Sequence, residues 1–167
     1  MTNKMQEVKI EKVVLSIGGT AERLEKGKKL LEIITKKKAC KRESTKRIPS
    51  LEVRPGLEVG ALVTLRKGEA KEILKRLFAA IDNKLRKKQI IDGSLSFGIK
   101  EYIEIPGMQY QREIGITGMD VSVSFARAGK RVKMKKIKAG KLPKKSVVKK
   151  EEIIQFLQEN LGIKLEG

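Results

Sequence analysis

The sequence has no histidine, no tryptophan and one cysteine, Cys40, in 167 residues. A lone cysteine excludes an intramolecular disulfide, and without histidine the ordinary zinc constellations cannot be assembled. Neither a metal nor a cofactor is expected. General acid–base work would fall to carboxylates and lysines, and none is set apart from the surface charge. Glu101 and Glu104 stand three apart in a strand pattern, hence on opposite faces, and Glu151 and Glu152 suit the first turn of a helix. The nucleotide loop GxxxxGK[ST] is missing too, because Gly27-Lys28 would need a glycine where Glu22 stands. These absences argue against an enzyme. Two tyrosines and four phenylalanines, with no aromatic string, argue against reading single strands by stacking bases on a sheet. No apolar run approaches the ~20 residues of a membrane span, and the first thirty residues lack a cleavable hydrophobic segment, so a cytoplasmic chain without membrane contact is expected.

What the sequence does have is positive charge. Against 20 Asp and Glu stand 39 Lys and Arg, for a formal net charge of +19 and a pI near 10.1. Solubility does not require so large an excess, and the basic residues come in runs, which favours a nucleic-acid partner over a membrane surface. With 40% hydrophobic residues the chain can still bury one real core. Cys40 sits inside KKKACKRES, whose positive surroundings favour the thiolate, yet a small half-buried strand residue is the role expected of it.

The organising stretch is KRIPSLEVRPGLEVGALVTLRKG, at 46–68. A basic loop marked by Pro49, Pro55 and Gly56 runs into a strand whose Val59, Ala61, Val63 and Leu65 point to one face, and Gly60, Leu62, Thr64 and Arg66 to the other. Upstream, 8–17 reads as a strand, Gly18-Gly19-Thr20 as a turn, and 21–35 as a helix carrying Leu24, Gly27, Leu31 and Ile34, with Leu30 and Ile33 widening the stripe. The turn before that helix is a tight bend or a phosphate contact. Lys36, Lys37 and Lys38 suit the negative end of the helix dipole, and 38–45 resumes as a short strand. Downstream, the spacing of Ile73, Leu74, Leu77, Phe78, Ile81 and Leu85 predicts a helix over 69–85. Leu95, Phe97 and Ile99 then alternate in a strand that Pro106-Gly107 should end. Glu101 falls on its apolar face, and Gly98 is a candidate bulge. After a long loop, Met119, Val121, Val123 and Phe125 form the last clear strand. About five strands and two long helices are expected.

Residues 126–150 differ in kind: twelve Lys or Arg, no acid, and no strand or helix period. Such a segment cannot fold alone and should order on an anionic partner. A helix returns at 151–161, with Ile153, Ile154, Phe156, Leu157 and Leu161 on its apolar side and Gly162 as its cap. The chain thus divides into an RNA-binding domain, 1–125, with a protruding basic loop at 46–57, and a basic extension, 126–167, ending in a short docking helix.

The strings VKIEKVVLSIGG, RPGLEVGALVTLRKGEA, SFGIKEYIEIPG and GMDVSVSF, in this order and spacing, resemble the L-five family of large-subunit ribosomal proteins. The ending EIGITGMDV, a lysine-rich stretch and KKEEIIQFLQENLGIKL resembles its archaeal type. The resemblance implies an α+β fold, with a mainly antiparallel sheet, helices on one face and 5S rRNA against the other, in the central protuberance of the large subunit. It implies that the loop at 46–57 reaches P-site tRNA, through Lys46, Arg47, Arg54 and Gly56. Of the family's polar RNA-facing positions Thr64 is kept, Ser16 stands where an Asn is usual, and Lys37 replaces a Gln. Lysine cannot accept a hydrogen bond, so at Lys37 a phosphate contact takes the place of polar reading. The expected rRNA set is Ser16, Gly18, Lys37, Lys38, Arg42, Thr64 and Arg66, with Arg131, Lys133, Lys135 and Lys136 of the extension on rRNA as well. Large-subunit rRNA, neighbouring proteins of the central protuberance and the small-subunit head complete the expected partners. The alternative is a free-standing basic RNA chaperone or nucleic-acid architectural protein, which would bind many sequences and DNA alike.

Overall fold

Period-two alternation in four segments builds most of the sheet. In β1 (Lys9–Gly18) Val13, Leu15 and Ile17 are buried, and in β3 (Glu58–Leu65) Ala61, Val63 and Leu65 are buried. The structure, a computed structural model, describes residue 3 and residues 5–166. Met1, Thr2 and Lys4 lie outside the described residues, as does Gly167. Between these strands come α1 (Ala21–Thr35) and the short β2 (Cys40–Glu43). After β3 come α2 (Lys67–Ala80), β4 (Lys84–Arg86), β5 (Ile90–Ile91), β6 (Ser94–Ile99) and β7 (Met119–Ala126). The chain ends in α3 (Arg131–Met134), α4 (Lys150–Leu161) and β8 (Lys164–Glu166). The fold is α+β: an antiparallel six-stranded sheet, in the order β2-β3-β1-β7-β6-β5, and a separate parallel pair of β4 with β8.

Three helices lie on one face of that sheet. Gly27 of α1 sits so close that an added Cβ would stand 2.8 Å from Ile17 Cγ2, which is why the helix stripe needs a glycine there. Phe78 of α2 stacks on Phe97 at 5.2 Å, and Phe156 of α4 meets Phe125 edge-on at 5.8 Å. Ile17, Phe97 and Phe125 all point to the same side of their strands, so α1, α2 and α4 share it. Ile33, expected to widen the α1 stripe, is 40% exposed.

Three local expectations are corrected. Leu85 does not belong to α2. The helix stops at Ala80, where Asp82 and Asn83 take left-handed φ values of 53° and 56° and the Asn83 amide donates to Phe78 O at 2.9 Å. Asp and Asn tolerate that region better than other side chains, and Leu85 is instead buried from β4. Gly98 is not a bulge, since it pairs with Asp120 between the regular pairs Phe97 with Val121 and Ile99 with Met119. The irregularities lie elsewhere, between Ile10 and Lys12 and between Arg42 and Glu43. Finally, β6 ends at Ile99 and not at Pro106. A 3-10 turn at Tyr102–Glu104 follows, so the strand alternation that would have buried Glu101 no longer applies.

Within residues 126–150 the single turn of α3 and a 3-10 turn at Lys144–Ser146 are formed. Arg127 holds the segment at three points. Its Nε donates to Gln6 O at 3.0 Å, its Nη1 to Lys145 O at 2.8 Å, and its Nη2 to Glu152 Oε1 at 2.5 Å. Lys130 pairs with Glu11, and Val148 is buried in the common core.

Candidate nucleic-acid interface

The sheet face without helices can be read from register, because directly paired residues of antiparallel strands point the same way. One row runs Ser96, Ser122, Val14, Thr64 across four strands. The next runs Gly98, Asp120, Ser16, Leu62, Cys40, across five. Ser94, Ser124 and Lys12 make a third, and Gly18, Gly60 and Arg42 a fourth. Apart from Leu62, Asp120, Lys12 and Arg42 the surface is short side chains, five of them serine or threonine in the first and third rows. Ser96 Oγ and Ser122 Oγ lie 3.2 Å apart. Hydroxyls both donate and accept, and short side chains let a ribose–phosphate backbone come close to the strands.

Of the expected rRNA residues, the fold brings Ser16, Gly18, Arg42 and Thr64 onto this face. Arg66 is exposed where β3 ends, beside Lys37 and Thr64, in one concavity of about 590 Å³. Lys37 is ion-paired with Glu69, so its charge is shared with the first turn of α2. Lys38 is exposed just before β2. Gly18 is open: an added Cβ would meet nothing within 4 Å. Cys40, expected half-buried, is exposed, because its register with Leu62 turns it to the open face.

Strand alternation also sorts the basic run around Cys40. Arg42 faces outward, whereas Lys41 turns to the helix side and bonds Glu25 Oε1 at 2.6 Å and Glu58 Oε2 at 2.7 Å. The hydrogen bonds to Glu25 and then Glu58 hold the Lys41 ammonium well above its ordinary range. The hydrogen bond from Lys41, with its charge, holds the Glu25 carboxyl below its own. Lys41 thus fastens β2 to α1, and its neighbour Arg42 is exposed on the open face.

The loop of residues 46–57 leaves the sheet at the Gly18 and Gly60 end, and Lys46, Arg47, Arg54 and Gly56 are all exposed on it. It is a built hairpin. Ile48 and Val53 exchange backbone hydrogen bonds of 2.9 and 3.1 Å around a 3-10 turn at Pro49–Leu51, and Gly56 takes φ 84°. The basic extension leaves β7 at the other end of the sheet, where Ala126 pairs with Lys9, and its Arg131, Lys133, Lys135 and Lys136 are exposed. The two basic elements therefore lie at opposite ends of the strands.

The same face also carries Lys12, Ser94, Ser96, Asp120, Ser122 and Ser124, which sequence reasoning did not single out. The signal was there, in the serines that alternate with apolar residues in SLSF and SVSF, but only register shows that they form rows. Among the described residues no group of three or more His, Cys, Asp or Glu could hold a metal ion, and no helix is long and apolar enough to cross a membrane.

Comparison with known proteins gives the chain its relatives. The profile of the C-terminus of the ribosomal L-five family matches residues 58–156. Over 99% of this chain and 99% of the relative, the sequence is 40% identical to large ribosomal subunit protein uL5 of Nanoarchaeum equitans. It is 39% identical to uL5 of Pyrobaculum aerophilum, over 97% of this chain and 92% of that one. It is also 39% identical to uL5 of Picrophilus torridus, over 99% and 96%.

Proposed function

The chain belongs to the ribosomal L-five family, in the form found in these archaeal relatives, and from that premise we propose that it fixes 5S rRNA within the large ribosomal subunit through its open sheet face. It is a non-enzymatic structural protein of the cytoplasmic ribosome, associated with rRNA and serving translation. The observation that carries the finer reading is the row structure of that face. Serine and threonine hydroxyls recur across its centre beside Val14, Leu62 and Asp120, glycines lie toward its ends, Lys12, Arg42 and Arg66 stand near its margins, and every long helix is on the other side. Such a surface suits a folded RNA, met through phosphates and 2′-hydroxyls.

The hairpin at 46–57 contacts P-site tRNA in this reading, with Lys46, Arg47 and Arg54 on phosphates. The extension, with Arg131, Lys133, Lys135 and Lys136, lies on rRNA. Protein neighbours, in the central protuberance or the small-subunit head, meet a different surface. The loop at 101–118 carries Glu101, Glu104 and Glu113 against one base, Arg112, and exposes Ile103, Tyr110 and Ile116. Lys29 of α1 pairs with its Glu113 at 3.6 Å and Arg76 of α2 donates to Pro106 O at 3.1 Å, so it lies on the helix side. An acidic, apolar loop on a chain of net charge +19 repels RNA and fits a basic protein.

Competition separates this reading from a general nucleic-acid binder. At ~0.2 M salt, excess duplex DNA should leave 5S rRNA binding standing, because purely electrostatic binding collapses as salt rises. Loss of 5S rRNA to the DNA would favour the free-standing chaperone. Replacing residues 49–54 by a Gly-Ser linker should spare 5S rRNA affinity and weaken tRNA retention on assembled subunits. The reverse outcome would exchange the two surfaces.

A further inference from the structure

A cleft of about 630 Å³ opens on the helix side, between the first turn of α2 and the last turns of α4. Its floor is apolar: Val8 and Ile10 at the start of β1, and Phe156 of α4, whose ring is held edge-on by Phe125. Its rim is cationic, with Lys9, Lys67 and Lys71. The one acid in the lining, Glu7, lies 3.4 Å from Lys9, whereas Lys67 and Lys71 have no carboxylate within ion-pairing distance among the described residues. Asn160 stands over the cleft with its Nδ2 donating to Phe156 O at 3.1 Å, and its second N–H and its amide oxygen are the groups a base edge can use.

We propose that this cleft holds one unstacked nucleotide of ribosomal RNA, its base against Phe156 and its phosphates on Lys67 and Lys71. The proposal rests on the rRNA-binding reading above and adds a second contact to it. The lining decides the chemistry of the occupant. An apolar side chain would use the floor and leave the lysines idle, and a free anion would use the lysines and leave the floor wet. A nucleotide needs both, a π-surface for its base and cations for its backbone. The volume lies in the range of small-ligand sites, roughly 300–1,000 Å³. The position also fits a continuous RNA path. Lys67 and Gly68 line this cleft on one side of α2 and, on the other, the concavity that holds Thr64 and Arg66. A strand leaving the open sheet face at Arg66 passes the start of α2 and arrives at Phe156.

Because the chain has no tryptophan, Phe156→Trp provides a single reporter. The full-length variant is titrated with 5S rRNA and, separately, with large-subunit rRNA, so that the source of the nucleotide is resolved. Binding of one of them should quench the emission by about half or more, and Lys67→Ala with Lys71→Ala should weaken that RNA about tenfold and flatten its salt dependence, because two phosphate contacts are removed. Phe156→Leu keeps an apolar side chain against Phe125, so its melting temperature should hold while affinity for the same RNA falls about fivefold. Normal binding of both RNAs with unquenched emission, or unchanged affinity in Phe156→Leu, would overturn the cleft and leave the sheet-face reading intact. Failure of the wild-type chain to bind either RNA would overturn both. An emission change that comes only with added large-subunit proteins would give the cleft to a protein side chain and overturn the proposal.

Discussion

The two faces of the six-stranded sheet are made by the same strands, one residue apart, and follow opposite rules. Toward the helices, Val13, Leu15, Leu65, Leu95, Val121 and Val123 are 0% exposed, and the branched side chains interlock in the way that gives a core its density. Away from them, the intervening positions include Ser16, Thr64, Ser94, Ser96, Ser122, Ser124 and the glycines 18, 60 and 98, with Val14, Leu62, Asp120, Lys12 and Arg42 among them. A face left to water alone would tolerate lysine and glutamate anywhere. This one carries its lysine and arginines near its margins and mostly short side chains between them, a relief that suits the RNA contact proposed for it.

The comparison breaks most visibly on the packed side. Leu15→Ala should cost about 2–5 kcal/mol, as buried leucines do when the cavity cannot collapse. Chemical denaturation would show it, with rRNA affinity per folded molecule unchanged. On the open side the same strand order predicts the inverse. Ser122→Phe should leave stability within about 1 kcal/mol and lower 5S rRNA affinity about a hundredfold, ~2.7 kcal/mol, because the ring would hold the RNA off the rows. A variant that binds normally would show that nothing approaches the centre of that face. Thr64→Val is finer. It keeps strand propensity and removes one hydroxyl, so affinity should drop by about 1–2 kcal/mol at unchanged melting temperature.

The smallest effect concerns Lys41, which belongs to the packed side although it sits in a basic run. Glu25 is held below the ordinary carboxylate range, so its contribution is present above that range and is lost as pH falls through the lowered value. Lys41 is held above the ordinary lysine range, so its contribution is complete below that range and is lost only as pH rises beyond it. The pair therefore acts across neutral pH and fades in acid. Lys41→Met should lose a little stability at about pH 7 and almost none, relative to wild type, at about pH 3. Its rRNA affinity should be unchanged, whereas Arg42→Met should weaken binding with no such pH signature.

Much of this was legible because the apolar period is clean. The pattern of Leu24, Gly27, Leu31 and Ile34 predicts a helix at 21–35, where α1 is found, and the alternation through Val63 and Val121 assigns both faces correctly. What failed has local causes. Ile81 and Leu85 continue the four-residue spacing of α2, so periodicity alone carries the helix through Asp82 and Asn83; only their left-handed backbone and the distant pairing of β4 with β8 stop it. Gly98 looked like a bulge because a glycine in a strand usually weakens it, yet it lies in a regular ladder and keeps the open face flat. The proposed interface could be approached in the sequence at Ser16 and Thr64 one position at a time, and the fold places both on the open face. Its rows needed the register of five strands, which no single stretch of sequence contains.

Arg127 gives the basic extension a different mechanical character from that of a tail. With one guanidinium bonded to Gln6, Lys145 and Glu152, and Val148 buried just beyond, the cationic stretch 127–145, with ten of the twelve Lys and Arg of residues 126–150, leaves the body and returns to it at Arg127. It is a lasso, closed by side-chain chemistry. Closing a loop of about twenty residues already removes part of the freedom that an open tail would lose on meeting RNA, and its reach is about half that of the same residues let out from one end. The charges are thereby confined to a patch beside the sheet, and a single proteolytic cut inside the lasso would leave both halves attached to the folded body.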